Sequence, residues 1–95
     1  MRTAAKVDKN QAEVVAALRK VGASVLSLAS IGKGCPDLLV GYHGNLYLME
    51  IKDGSKMPSQ QLLTDDQKKW HEAWTGSPVY VVRSIEQALK ILGER

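Results

Sequence analysis

Two short apolar runs end in charge, and this constrains the fold more than any other feature of the chain. Asp37 opens the run Leu38-Leu39-Val40, and Leu46-Tyr47-Leu48-Met49 runs into Glu50-Ile51-Lys52. Apolar runs of this length, bounded by turn residues, read as strands. Side chains alternate faces along a strand, so Glu50 and Lys52 point one way and Ile51 points into the opposite layer. A short turn at His43-Gly44-Asn45 folds the second strand back beside the first, which can bring the Asp37 and Glu50 carboxylates to one end of a small sheet. Two carboxylates at that distance repel unless a cation lies between them. Oxygen-only ligands suit a hard ion such as Mg²⁺. A lysine one step along the same face can hold a water or meet negative charge on a phosphoryl group. Metal-dependent phosphodiester hydrolysis is the chemistry these residues fit. The plainer alternative makes Asp37 a turn residue and Glu50 and Lys52 an edge strand's solvent face. Leu46 and Leu48 share the face of Glu50, and an apolar face that ends in opposite charges favours a site.

The rest of the chain reads as a single α/β domain over 1–95, with residues 1–7 a flexible basic arm. Asp8 and Gln11 have the spacing of a capping box, opening a helix that runs to about Val21 with Val14, Leu18 and Val21 as its apolar stripe. Gly22 stops it. Residues 24–29 alternate as a strand, and Ile31-Gly32-Lys33-Gly34 is a turn into strands at 37–41 and 45–52. Residues 53–63 form a long loop. Thr64 to Gln67 is a second capping box, for a helix to about Thr75. Val79 to Arg83 is a β-branched strand, and Ser84 to Gln87 is a third box before a last helix with Ile85, Ala88, Leu89 and Leu92 facing inward. The order is αβββαβα, a single mixed sheet flanked by helices.

Composition narrows the class only a little. Of 95 residues, 44% are hydrophobic, enough for one small core and no second domain. One cysteine, Cys35, excludes an internal disulfide and has no zinc-spaced neighbour. No segment has the apolar length of a membrane span, and a reduced cytoplasm is the expected compartment. A net charge of +3 is compatible with nucleic acid and decides little. Lys33, Lys56, Lys68 and Lys69 are candidates for phosphate-backbone contact, with a solvated face as the alternative. His43 and His71 are expected at the surface or its boundary. Trp70 and Trp74, four apart on a helix, are expected in the core.

Pro36-Asp37, twelve intervening residues and Glu50-Ile51-Lys52 resemble the motif of the PD-(D/E)xK nuclease superfamily. Over about residues 8–92 the chain is similar to a stand-alone VRR-NUC (virus-type replication-repair nuclease) domain. Four features carry the likeness: an early helix with Glu13, the approach Lys33-Gly34-Cys35-Pro36-Asp37, the Glu50-Ile51-Lys52 strand, and Gln67 in a helix followed by Val79-Tyr80-Val81-Val82-Arg83.

The resemblance implies a restriction-endonuclease-like core and an Mg²⁺- or Mn²⁺-dependent deoxyribonuclease. In that reading Asp37 and Glu50 hold the metal, helped by Glu13 and the Ile51 carbonyl, and Lys52 positions or activates the attacking water. Gln67 is open to two readings, a helix cap and a residue that supports catalysis. Arg83 matches a family Val-Arg signature and can reach a phosphate or complete an ion pair. The family also implies a homodimer acting on branched DNA, including four-way junctions, with Met57, Leu62 and Leu63 as a candidate dimer surface unless they pack on their own core. The alternatives are a DNA-binding module without activity and a sequence-specific restriction-type endonuclease.

Overall fold

The structure is a computed structural model and describes residues 8–93, so the arm expected over 1–7 lies outside the described residues. Its elements are α1 (Gln11–Lys20), β1 (Ser24–Ser27), β2 (Leu38–Tyr42), β3 (Asn45–Ile51), a 3₁₀ turn at Pro58–Gln61, α2 (Asp65–Ala73), β4 (Val79–Val82) and α3 (Ile85–Ile91). The strands form one sheet in the order β1-β2-β3-β4. The first three are antiparallel neighbours, and β4 joins β3 in parallel after the crossover through α2. This is the mixed sheet flanked by helices that the sequence pattern predicts.

The β2–β3 hairpin sets the register. Tyr42 pairs with Asn45, so only His43 and Gly44 form the turn, at φ 48° and 83°. Positive φ at both central residues is what a type I′ hairpin turn requires, and it matches the twist of the flanking strands. The pairing then runs Val40 to Tyr47 and Leu38 to Met49. One face of the sheet therefore presents Val25, Leu38, Val40, Met49, Ile51 and Val82, all buried in a single core with Val14 and Leu18 of α1 and Ala88 and Leu92 of α3. Leu39, Leu48 and Glu50 point to the opposite face, where α2 reaches Glu50 through Gln67. That face is only partly covered. Leu48 and Glu50 are buried, but Leu46 is 63% exposed, so the apolar face expected along β3 is closed only at the end that carries the acid.

Three local expectations change. The first helix starts at Gln11 with Asn10 at its cap and no side-chain capping bond, because the Asp8 backbone carbonyl takes the Gln11 N–H at 3.0 Å and no Asp8–Gln11 box forms. At α3, Ser84 accepts from Gln87 N, but the Gln87 amide oxygen takes the Arg83 N–H at 2.6 Å, so this box is half made. Trp70 and Trp74 do not enter the core. They stack on each other at 4.8 Å with Trp74 45% exposed, since α2 buries none of its residues fully.

The turn Gly32-Lys33-Gly34 has φ values of 69°, 53° and 83°. At Gly34 the left-handed backbone meets a close approach: an added Cβ would overlap the Asp66 carbonyl at the start of α2. Gly22 is also left-handed, at φ 99°, but has open space around its Cα. Gly22→Ala is expected to cost about 1 kcal/mol from backbone strain alone. Gly34→Ala adds a steric clash and is expected to cost at least about 2–3 kcal/mol. Urea unfolding of the two variants checks this; equal losses would mean that the loop does not press on α2.

Candidate active site

One step beyond the Leu38–Met49 pair, the register sets Asp37 opposite Glu50 on the sheet face covered by α2. The Asp37 carboxylate is pinned there, Oδ2 accepting from the Ile51 N–H at 2.7 Å. Glu50 is 1% exposed. Its Oε2 accepts from the Gln67 amide at 3.0 Å, while Oε1 is buried without a hydrogen-bond partner and faces His71 Nε2 at 3.7 Å. Lys52 follows on the same side and is also buried, its Nζ donating to Gln67 Oε1 at 2.9 Å.

Gln67 makes the cap and also contacts the motif residues. Thr64 Oγ1 accepts from Gln67 N at 3.2 Å, and Gln67 Oε1 accepts from Thr64 N at 2.9 Å, which completes the expected capping box. The same amide bridges the acid and the lysine. Because the cap fixes the start of α2, it also fixes the amide that organises the two charged groups.

Burial dominates the electrostatics. It pushes the Glu50 carboxyl up to about 9, with the Asp37 carboxyl adding through a hydrogen bond and its charge, and Asp8 adding more weakly; the Lys52 ammonium opposes the shift. Burial also lowers the His71 pKa, with Lys52 contributing. The Cys35 thiol is raised by burial and then by the nearby Glu50 and Asp37, so it stays protonated beside the site.

Asp37, Glu50, Ile51, Lys52 and Gln67 line one cavity of about 350 Å³ with Asp8, Lys56, Gln60, Leu62 and Thr64. The structure does not bring Glu13 to this group. Glu13 is exposed on α1 and lines a larger, more open cavity of about 800 Å³ with Asp53, Arg83 and Glu86, which contains none of the motif residues. The smaller cavity is the one that contains the buried Glu50 carboxyl. Asp8 faces it instead of Glu13; the acid comes from the segment before α1, which the capping-box reading had assigned to the helix end. Of the basic candidates, Lys56 lines the site, while Lys33, Lys68 and Lys69 are exposed and Arg83 lines the larger cavity. His71, expected at the surface or its boundary, is half-buried on α2 and faces Glu50. Its place four residues after Gln67 was the available signal, since i and i+4 share a helix face.

No family profile matches the sequence, and no curated protein matches it. A solved structure described as a VRR_NUC domain superposes on it with a TM-score of 0.63 and 28% sequence identity, over 88% of this chain and 95% of that one. The chain is a VRR-NUC-like domain. Its mixed sheet, with α1 and α3 on one face and α2 on the other, is consistent with the PD-(D/E)xK nuclease-like α/β fold.

The donors of this VRR-NUC-like domain suit a hard divalent ion. Among its described residues no three Asp, Glu, His or Cys side chains form a closed cage. An open site needs none, because Mg²⁺ is commonly held by one or two carboxylates and completes its shell with water and substrate phosphate. The buried free oxygen of Glu50, next to a second carboxylate, is an acceptor that a cation would satisfy.

The raised Glu50 pKa sets the pH dependence of the metal-free domain. Between its ordinary value of 4.5 and about 9 the folded chain keeps a proton that the unfolded chain has released. Stability therefore falls as pH rises across that window, by up to about 1.4 kcal/mol per pH unit. Glu50→Gln keeps the shape without the charge and is expected to flatten the slope in EDTA-treated protein, read by urea unfolding at pH 6, 7 and 8. Equal slopes for the two proteins would show that Glu50 ionises normally in the fold.

Proposed function

We propose that the chain is a metal-dependent endonuclease that hydrolyses DNA phosphodiester bonds, selective for branched DNA such as four-way junctions. The observation that carries the reading is the buried Glu50 carboxylate, set beside Asp37 and tied through Gln67 to Lys52 in one cavity. The likeness to the VRR_NUC domain structure supports the nuclease class.

Asp37 and Glu50 would hold Mg²⁺ or Mn²⁺, with Asp8 and the Ile51 carbonyl as further candidate donors, since both residues line the same cavity. The bound ion supplies Lewis acidity for the phosphoryl oxygen and charge for the attacking water. Gln67 keeps the Lys52 ammonium at the cavity wall, where it can hydrogen-bond a water or offset negative charge that develops on the phosphoryl oxygens. Gln67 and the Ile51 N–H fix the two carboxylates, so their orientation is set before substrate arrives.

Lys56 borders the cavity, and Lys33, Lys68 and Lys69 are exposed and so accessible for backbone contact. Arg83 is the least supported of these contacts, since it faces the other cavity. A homodimer would supply two sites in the symmetry of a four-way junction. Met57 and Leu62, at 68% and 66% exposed, remain available for such an interface, whereas Leu63 is partly buried. Among the described residues no helix is long and apolar enough to cross a membrane.

Purified protein incubated with flaps, forks and four-way junctions tests the reading. Cleavage is expected with Mg²⁺ or Mn²⁺ and not after EDTA treatment. Asp37→Ala, Glu50→Ala and Lys52→Ala are each expected to lose at least about a hundredfold in rate while staying folded. Binding without cleavage under all metal conditions would favour the inactive DNA-binding alternative.

Gln67→Glu separates the helix cap from the site. A carboxylate keeps the capping acceptor but cannot donate to Glu50 and adds a like charge beside it. Cleavage is expected to fall by about tenfold or more with α2 retained in far-UV circular dichroism. Unchanged cleavage would reduce Gln67 to a cap.

A further inference from the structure

Glu50 Oε1 and His71 Nε2 are both buried, and among the described residues neither has a hydrogen-bond partner. They face each other at 3.7 Å. That separation is too long for a shared proton, which would draw the atoms to about 2.7–2.9 Å. Once Glu50 is ionised, as metal binding requires, and with His71 Nε2 unprotonated, the two atoms turn lone pairs on each other, which is unfavourable unless a positive species sits between them. The distance does suit one metal ion. Donors each about 2.1 Å from an ion lie about 3.0 Å apart at right angles and about 4.2 Å apart on opposite sides, and the observed spacing falls between.

The helix that grips one oxygen of Glu50 brings the imidazole to the other. Gln67 and His71 lie four residues apart on α2, so the capping box that fixes Gln67 also fixes the place of His71. The Glu50 carboxylate is bracketed by the two side chains and has little room to turn away.

We propose that His71 Nε2 is a metal donor that shares a divalent ion with Glu50 Oε1, giving the centre a preference for first-row transition ions over Mg²⁺. This rests on the reading of Asp37 and Glu50 as a metal centre. Imidazole is a favourable ligand for ions such as Co²⁺ and Zn²⁺, whereas Mg²⁺ takes oxygen donors and sheds water reluctantly.

The experiment uses the tag-free full chain, its His71→Leu variant and its Asp37→Ala variant. Calorimetric titration with Co²⁺ and with Mg²⁺ is expected to show that His71→Leu weakens Co²⁺ binding by about tenfold or more and leaves Mg²⁺ binding within about twofold. Nitrogen-15 spectra of the wild-type imidazoles, taken with one equivalent of Zn²⁺, are expected to move the His71 Nε2 resonance while His43 on the hairpin turn stays unshifted. The spectra decide the matter even if His71→Leu does not fold. Equal Co²⁺ affinity in wild type and His71→Leu, or an unmoved His71 resonance with Zn²⁺ bound, would overturn the proposal. If Asp37→Ala abolishes Mg²⁺ uptake in that case, the metal-centre reading stands and only the role of His71 falls. A wild-type chain that binds neither Co²⁺ nor Mg²⁺ would remove both.

Discussion

The structure depends on a carboxylate buried at a cost. Glu50 is 1% exposed, next to a second carboxylate, and its pKa is driven to about 9. Burying an acid is unfavourable unless its polar atoms are satisfied, and among the described residues Glu50 Oε1 meets no hydrogen-bond partner. A chain selected for stability alone would place an apolar residue at this position, between Leu48 and the covering helix. The neighbourhood of Glu50 is better understood as support for a group that the fold itself would do without. Asp37 is tied to the backbone of β3, Lys52 is held by an amide, and that amide is held by a helix cap.

That chain of support explains the close approach at Gly34. The turn before Pro36 runs so near the first residues of α2 that no side chain fits between them. Asp37, two residues after Cys35, and Gln67, at the third position of α2, are thereby set by one local contact. The backbone is left-handed at three consecutive positions; glycine takes this up freely at two of them, and the strain falls on Lys33. Strain of this kind persists where the surrounding packing over-determines it, and it accompanies functional sites elsewhere.

Much of this was legible in the sequence, for a definable reason. Strand periodicity, hairpin chemistry and the box at Thr64–Gln67 are local, and each local signal agreed with the tertiary arrangement. At the start of α1 the difference turned on which residue of a short polar segment faces inward. Asp8, Asn10 and Glu13 are all polar residues near the start of α1, and a hydrophobic stripe of three residues does not fix which acid reaches the sheet. The backbone settled it: the Asn10 amide donates to the carbonyls of Lys52 and Arg83, docking the helix start between β3 and β4 and leaving Asp8 on the motif side. The tryptophans misled for a different reason. Their spacing marks one helix face correctly, but α2 crosses the sheet on its less covered side, where that face is stacked on itself and half open to solvent.

The alternation of β3 links fold to site more tightly than any one contact. Met49 and Ile51 enter the core against α1 and α3, while Glu50 and Lys52, interleaved with them, enter the cavity. A slip of one residue would exchange the two sets, burying both charges among aliphatic side chains and exposing the anchors. The apolar core therefore does more than stabilise the domain. By fixing the register of β3 on one face it fixes the spacing of acid and lysine on the other, and the parallel ladder to β4 extends that control past the strand's end, where Lys52 N still donates to the Val82 carbonyl at 2.9 Å. The positions of the acid and the lysine at the end of this strand are thus set from the opposite, dry side of the sheet.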